Sequence, residues 1–263
     1  FQLVAWQCGY EYNASRIKDQ VLKRFIPGFD HHLAYHTNAA HYALAYGAPK
    51  EDITVIYNTI NEERIEPVPK QKARNMICAS HPSIGNRKIV LFVGAILAEK
   101  RIEALVEAMA GLEDRKAVLV IIGDGPHMAE IRRRCEGRED VVLTGAIIEG
   151  VGQYFDAAEV YVLPGTGGLG INEAMAHGLP IISGYADGSA DDLVLNGING
   201  FRLQNGSGEE IREKIALILD NPELSERMGK QSREMITGKF AFREFVGRIV
   251  NAISALSNRG LHG

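Results

Sequence analysis

AAEVYVLPGTGGLGINEAMAHGLPIIS, residues 157–183, is the stretch that decides the fold. An apolar, β-branched run at 160–163 ends at Pro164, and glycines follow at 165, 167, 168 and 170. A helical pattern then covers 171–177, Gly178 can close it, and a second apolar run fills 180–183. Runs apolar on both faces belong to a parallel sheet covered by helices on two sides.

The same alternation extends outward from this unit. Further strand patterns lie at 2–6, 33–35, 53–56, 88–93, 117–122, 141–143 and 201–203. Between two of them Ile102, Leu105, Val106 and Met109 fall at i, i+3, i+4 and i+7, one apolar stripe of a helix. Ser15 can cap a helix running towards Phe25, and Gly47 can end another. The class is therefore α/β with Rossmann-like parallel sheets. The alternation breaks over 61–86, where Pro67, Pro69 and Pro82 appear among polar residues; this reads as an interdomain connection with one short helix. The part before it holds about three strands, too few to protect both edges of a sheet. Three helical stretches, 209–219, 223–235 and 242–256, close the chain. The expected organisation is a partial N-terminal domain (1–60), a connection (61–86), a complete C-terminal domain (87–240) and a closing helix segment (241–263).

Composition narrows the function. With 263 residues and 46% hydrophobic side chains the chain can bury a real core. Its 29 basic and 33 acidic side chains give a formal charge of -4. Neither part is basic enough to hold a phosphate backbone, so no nucleic-acid partner is expected. Cys8, Cys78 and Cys135 are too few and too scattered for a disulfide framework, which fits a reduced, cytosolic setting. No apolar run of 18 residues and no signal pattern occurs, so a soluble chain is expected. Phe1 opens directly inside a strand pattern, and the expectation is a missing upstream part.

In such sheets ligands bind beyond the carboxyl ends of the strands, here the loops 94–99, 123–126, 145–149, 164–170 and 184–192. The loop 164–170 runs into a helix, where exposed amides and the helix dipole favour an anion such as phosphate. Residues 165–170 also satisfy G-x-G-x-x-G, the dinucleotide fingerprint, although that motif belongs to a first βαβ unit and this loop follows four strands. A tight turn without ligand is the third reading. Glu173, in the first helical turn, either stabilises the dipole or accepts two hydrogen bonds from a vicinal diol such as a ribose. Lys100 either is solvated or turns its ammonium to the same crevice. His31, His32, His36 and His41 span a strand, a turn and a helix, so no helical ligand spacing applies and no metal site is read. Arg132, Arg133, Arg134 and Arg138 read as a solvated face of one helix. Cys8, at a strand end, has no neighbour in sequence to activate it, and no Ser–His–Asp set is present.

Five segments occur in order: KIVLFVGAILAEKRIEALVEAM (88–109), VLVIIGDGP (118–126), VVLTGAI (141–147), the opening stretch (157–183) and DDLVLNGINGF (191–201). Together they resemble the donor-binding half of retaining GT-B glycosyltransferases of the group 1, family four type. DHHLAYHTNAAHYALAYGAPKEDITVIYNTI (30–60) resembles the end of that family's acceptor domain. The resemblance implies a nucleotide-sugar donor, a UDP- or GDP-sugar, bound between two Rossmann-like domains, with no further cofactor and no metal. It implies that Glu173 holds the ribose hydroxyls and that Lys100 holds the diphosphate and serves catalysis. The loop residues Gly165, Thr166, Gly167, Gly168 and Leu169 would surround phosphate and sugar, and Gly145 and Ile147 would pass the base. A carbohydrate or lipid-linked acceptor, a role in surface polysaccharide or glycoconjugate synthesis, and a cytoplasmic or peripheral inner-membrane location follow by the same resemblance.

This sequence departs from the family at three points. Gly165 stands where the first glutamate of E-x7-E is expected, Ala95 where an arginine is, and Cys8-Gly9 where His-Gly is. One of two diphosphate cations is therefore gone. A fragment lacking most of the acceptor domain, inactive alone, is the expectation, and the closing helix would find its partner surface largely absent. Two alternatives stand beside the transferase: a nucleotide-sugar epimerase of the same fold, and a non-catalytic nucleotide-sugar-binding scaffold.

Overall fold

The strands fall into two parallel sheets. The structure is a computed structural model that describes residues 3–8, 16–184 and 188–260. A three-stranded sheet has the order β1 (Val4–Gln7), β2 (His31–Ala34), β3 (Ile53–Val55). The larger sheet contains β4 (Lys88–Val93), β5 (Ala117–Ile122), β6 (Val141–Gly145), β7 (Val160–Leu163), β8 (Ile181–Ser183) and β9 (Gly200–Arg202), in the order β6-β5-β4-β7-β8-β9. The helices in chain order are α1 (Arg16–Phe25), α2 (Thr37–Ala45), α3 (Lys70–Ser80), α4 (Ile102–Ala108), α5 (Met128–Arg134) and α6 (Gly152–Ala157). They continue as α7 (Gly170–Ala176), α8 (Ser189–Leu193), α9 (Gly208–Asp220), α10 (Pro222–Thr237) and α11 (Phe242–Gly260).

The larger sheet grows outward from its first strand. Val90 of β4 pairs with Leu119 on one side and with Val160 on the other. Strand order therefore reverses beside β4, which opens a crevice between the loops after β4 and β7. The residues explain the arrangement: all of β5, β7 and β8 and the middle of β4 are buried. The α4 stripe Ile102, Leu105, Val106 and Met109 is buried beneath them. Gly178, at φ +71°, ends α7, and Gly47, at φ +93°, follows α2; both positions favour a residue without Cβ.

The segment between the sheets is tied to the larger one. Ala73 and Ile77 of α3 join the main core, and Lys70 donates to the Ala158 carbonyl at 2.9 Å. Burying Ile77 contributes about 1.5–3 kcal/mol.

Several readings need correction. The partner surface of α11 is present in part: Ala252 packs with Leu33 and Ile56, so the last helix covers one face of the three-stranded sheet. Its Val246, Val250 and Ile253 remain exposed. Arg138 lies beyond the end of α5 and bonds Asp140 and the Val106 carbonyl, so the arginines do not share one helix. Of the expected helix cap and acceptor-side motif, Ser15 and Gly9 lie outside the described residues.

Candidate functional site

The crevice beside β4 is a cleft of about 640 Å³ between the two halves. Glu99, Lys100, Thr166, Gly167, Gly168, Leu169, Asn172 and Ser189 form one wall. Cys8, Tyr35, His36 and Asn58 form the other.

Local sequence explains each position. After β4 the chain makes a short turn over Ala98–Lys100 and reverses at Arg101, a left-handed residue at φ 53°. Arg101 is anchored by the carbonyls of Asn205 and Gly206, at 3.2 and 3.0 Å, which holds the turn at the cleft. The Lys100 ammonium donates to the carbonyls of Thr166 and Gly167 at 2.8 and 2.6 Å. The glycine loop is thereby bound to the loop after β4. Gly165 sits behind the cleft wall. A Cβ on it would lie 1.9 Å from the Glu99 carbonyl oxygen, so only glycine fits at this approach. Among the described residues, no backbone carbonyl accepts from the amides of Gly167, Gly168 or Leu169.

Glu173, on α7, is half-buried. Burial raises its carboxyl above the ordinary value, and His177 opposes this. Tyr161 lies close by, fully buried, donating its hydroxyl to the Val93 carbonyl at 3.1 Å. A Cβ on Gly170 would meet that hydroxyl oxygen at 2.4 Å, so the start of α7 rests on the end of β4.

On the opposite wall, His36 is the N-cap of α2: its Nδ1 accepts from the Ala39 amide at 3.0 Å. Tyr57, left-handed at φ 54°, turns the chain after β3, and the Asn58 amide donates to the Tyr35 carbonyl at 2.9 Å. Asp192 receives the Thr37 amide and hydroxyl at 2.7 and 2.6 Å, and Asp191 receives the Asn38 amide group at 2.7 Å. These bonds join the two walls at the rim.

The residues 74–235 match the family described as glycosyl transferases group 1. The chain belongs to the group 1 glycosyl transferases. It is 31% identical to the sulfoquinovosyl transferase of Arabidopsis thaliana over 171 residues, 63% of this chain and 33% of that protein. It is 25% identical to a GDP-mannose-dependent α-(1-6)-phosphatidylinositol monomannoside mannosyltransferase of Mycobacterium tuberculosis, over 80% of this chain and 57% of that protein. The chain thus spans from a third to just over half the length of these two curated relatives. Anabaena HepE in complex with UDP superposes with a TM-score of 0.86 at 18% identity, covering 97% of this chain and 72% of that one. Sucrose-phosphate synthase of Thermosynechococcus elongatus superposes with a TM-score of 0.82 at 21% identity, covering 98% and 69%. These likenesses show the GT-B fold.

Of the residues that the family resemblance implies, Lys100, Thr166, Gly167, Gly168 and Leu169 lie together on the cleft wall. Gly165 is packed behind it, and Glu173, Gly145 and Ile147 do not line it. Gly145 ends β6, two strands from β4 in the sheet, and accepts from the Gly123 amide at 2.9 Å. Ile147 packs against the main core. Of the four histidines, His31 bonds the Thr54 hydroxyl, His32 bonds Gln7, and His36 caps α2. Asn172, Ser189 and Tyr35 were missed from sequence; the first adjoins Glu173, but nothing local marks the others.

Proposed function

We propose that the chain forms the donor half, with part of the acceptor half, of a retaining glycosyltransferase that moves a sugar from a nucleotide-sugar to a carbohydrate or lipid-linked acceptor. The observation that carries this reading is the meeting of Lys100 and the 166–169 loop on one cleft wall, facing Tyr35, His36 and Asn58. The carbonyls now bound by Lys100 are neutral acceptors, and a diphosphate would offer it stronger, charged ones. The amides of Gly167, Gly168 and Leu169 point the same chemistry at phosphate and sugar.

In this reading the donor extends beyond the cleft lining, where Glu173 accepts the ribose hydroxyls and Gly145 and Ile147 border the base. When the bond from the anomeric carbon to the diphosphate oxygen breaks, the electron pair leaves with the nucleoside diphosphate. Lys100 and the amides stabilise that charge without reorganising. Gly165 serves indirectly, by letting the loop approach Glu99. The lengths of the curated relatives support a longer enzyme that completes the acceptor pocket. A cytoplasmic or peripheral membrane location and a role in surface glycoconjugate synthesis belong to the same proposal. Among the described residues no helix is long and apolar enough to cross a membrane.

The test is calorimetric titration of the folded chain with UDP, GDP and ADP, alongside Lys100→Ala and Glu173→Ala. One nucleotide binding, weakened by both substitutions, supports the reading and names the base. No binding at millimolar nucleotide overturns it. Ala95 and Gly165 favour a second reading, a donor-binding domain without chemistry. Nucleotide-sugar binding with no release of nucleoside diphosphate in the full-length protein would select it.

A further inference from the structure

Behind the helix that carries Glu173 lies a buried, hydrogen-bonded histidine–aspartate pair that the transfer reading does not use. His177 Nδ1 meets Asp156 Oδ1 at 2.7 Å, with side chains 4% and 5% exposed. A carboxylate only accepts, so the proton on Nδ1 is fixed by this bond. The other carboxylate oxygen of Asp156 receives the Val68 amide at 2.9 Å, from the segment joining the two halves. The Phe155 ring stacks on the imidazole at 5.3 Å and 13°. His177 follows Glu173 by four residues, so both side chains rise from one face of the α7 turn.

Burying two such groups is costly unless each is paired and hydrogen-bonded. Here both are, and through them the interdomain segment is fastened to the back of the helix that carries Glu173. We propose that His177 is a positioning residue for Glu173, locked by Asp156 and through it by Val68, so that movement of the connecting segment is felt at the donor site. This rests on the role given to Glu173 above.

Asp156 meets His177 from α6, and Tyr161 lies against the start of α7 from β7. Arg233 of α10 donates to the Ala176 carbonyl at the end of α7. Asp191 and Asp192 of α8 are engaged with Arg202, Asn38 and Thr37. β8 contributes no titratable group. His177 acts on the Glu173 carboxyl in the direction that opposes its burial.

Three variants test the proposal. His177→Asn keeps a donor towards Asp156 but carries no charge, His177→Phe keeps only the stacked ring, and Asp156→Asn keeps one acceptor oxygen without the charge. The primary readout needs no ligand: the carboxyl carbon of Glu173 is followed by NMR as pH is changed. The expected result is a Glu173 midpoint at higher pH in His177→Asn and His177→Phe than in the wild type. Each unit of that rise removes about a factor of ten from carboxylate-dependent nucleotide binding on the acid side. Equal midpoints in wild type and His177→Asn, both folded, overturn the proposal. If His177→Phe does not fold, His177→Asn decides alone. Separated midpoints in a chain that binds no UDP or GDP uphold the positioning role and remove the donor-site reading instead.

Discussion

Asp192 accepts both the amide and the hydroxyl of Thr37, at 2.7 and 2.6 Å, although 155 positions separate them. The two residues lie just beyond His36 and Ser189, which line opposite walls of the cleft. A carboxylate at the start of α2 also meets the positive end of the helix dipole. Asp192→Ala is expected to cost about 1–2 kcal/mol, combining a lost charged hydrogen bond with a lost helix-end partner. Denaturant unfolding of Asp192→Ala, Thr37→Val and the double variant checks this. The singles should be non-additive, and amide exchange at residues 37–39 should quicken in Asp192→Ala.

Lys100 holds the glycine loop and, in the proposed function, the diphosphate. Lys100→Ala should weaken binding of the preferred nucleoside diphosphate by about 1.5–3 kcal/mol, roughly tenfold to a hundredfold. Calorimetry with the nucleoside alone is the control. An equal loss there would mean that the loop had collapsed and that no phosphate contact was removed.

Glu173 gives a pH dependence with a definite sign. Burial raises its carboxyl, so the folded chain keeps a proton that the unfolded chain has already released. Between the ordinary carboxylate range and the raised value, stability falls as pH rises. Glu173→Gln removes this loss: its Tm should match the wild type in acid and exceed it at neutral pH. Nucleotide affinity should fall in the wild type as pH drops through the raised value, and should be weak and flat in the variant. Scanning calorimetry and titration at both pH values read the two effects separately.

The two departures from the family differ in how far they can be reversed. Ala95 is exposed at the end of β4, so Ala95→Arg should change stability by less than about 0.5 kcal/mol. It should strengthen diphosphate binding by about 1.5–3 kcal/mol through the restored cation. Gly165→Glu has no such room, because its Cβ would lie 1.9 Å from the Glu99 carbonyl oxygen and 2.6 Å from the Lys100 carbonyl carbon. That variant should lose more than about 3 kcal/mol, read by denaturant unfolding, and should not regain donor binding.

Sequence alone was informative where one pattern had one cause. The strands 88–93, 117–122 and 160–163 coincide with β4, β5 and β7, because a two-sided apolar run has few other uses. The end of β6 was lost because Thr144 and Gly145 are not apolar; pairing with Ile122 carries the strand on. The His36 cap escaped because a ring nitrogen replaces the usual Ser, Thr, Asp or Asn oxygen. Lys100 and the glycine loop could be brought to one crevice because each follows the carboxyl end of a strand. Asp192 with Thr37, and Asp156 with His177, leave no local trace, since each pair exists only after the chain has folded back.

The seating of α11 on the three-stranded sheet has a consequence for synthesis. Leu33 and Ile56 emerge early, while Ala252, which covers them, emerges about 200 residues later. At ribosomal rates that interval is on the order of ten seconds or more. Throughout it the first sheet has an uncovered apolar face, while the larger sheet can already close around β4. The first half to be made is then the last to be finished, and a holding chaperone would find its substrate there.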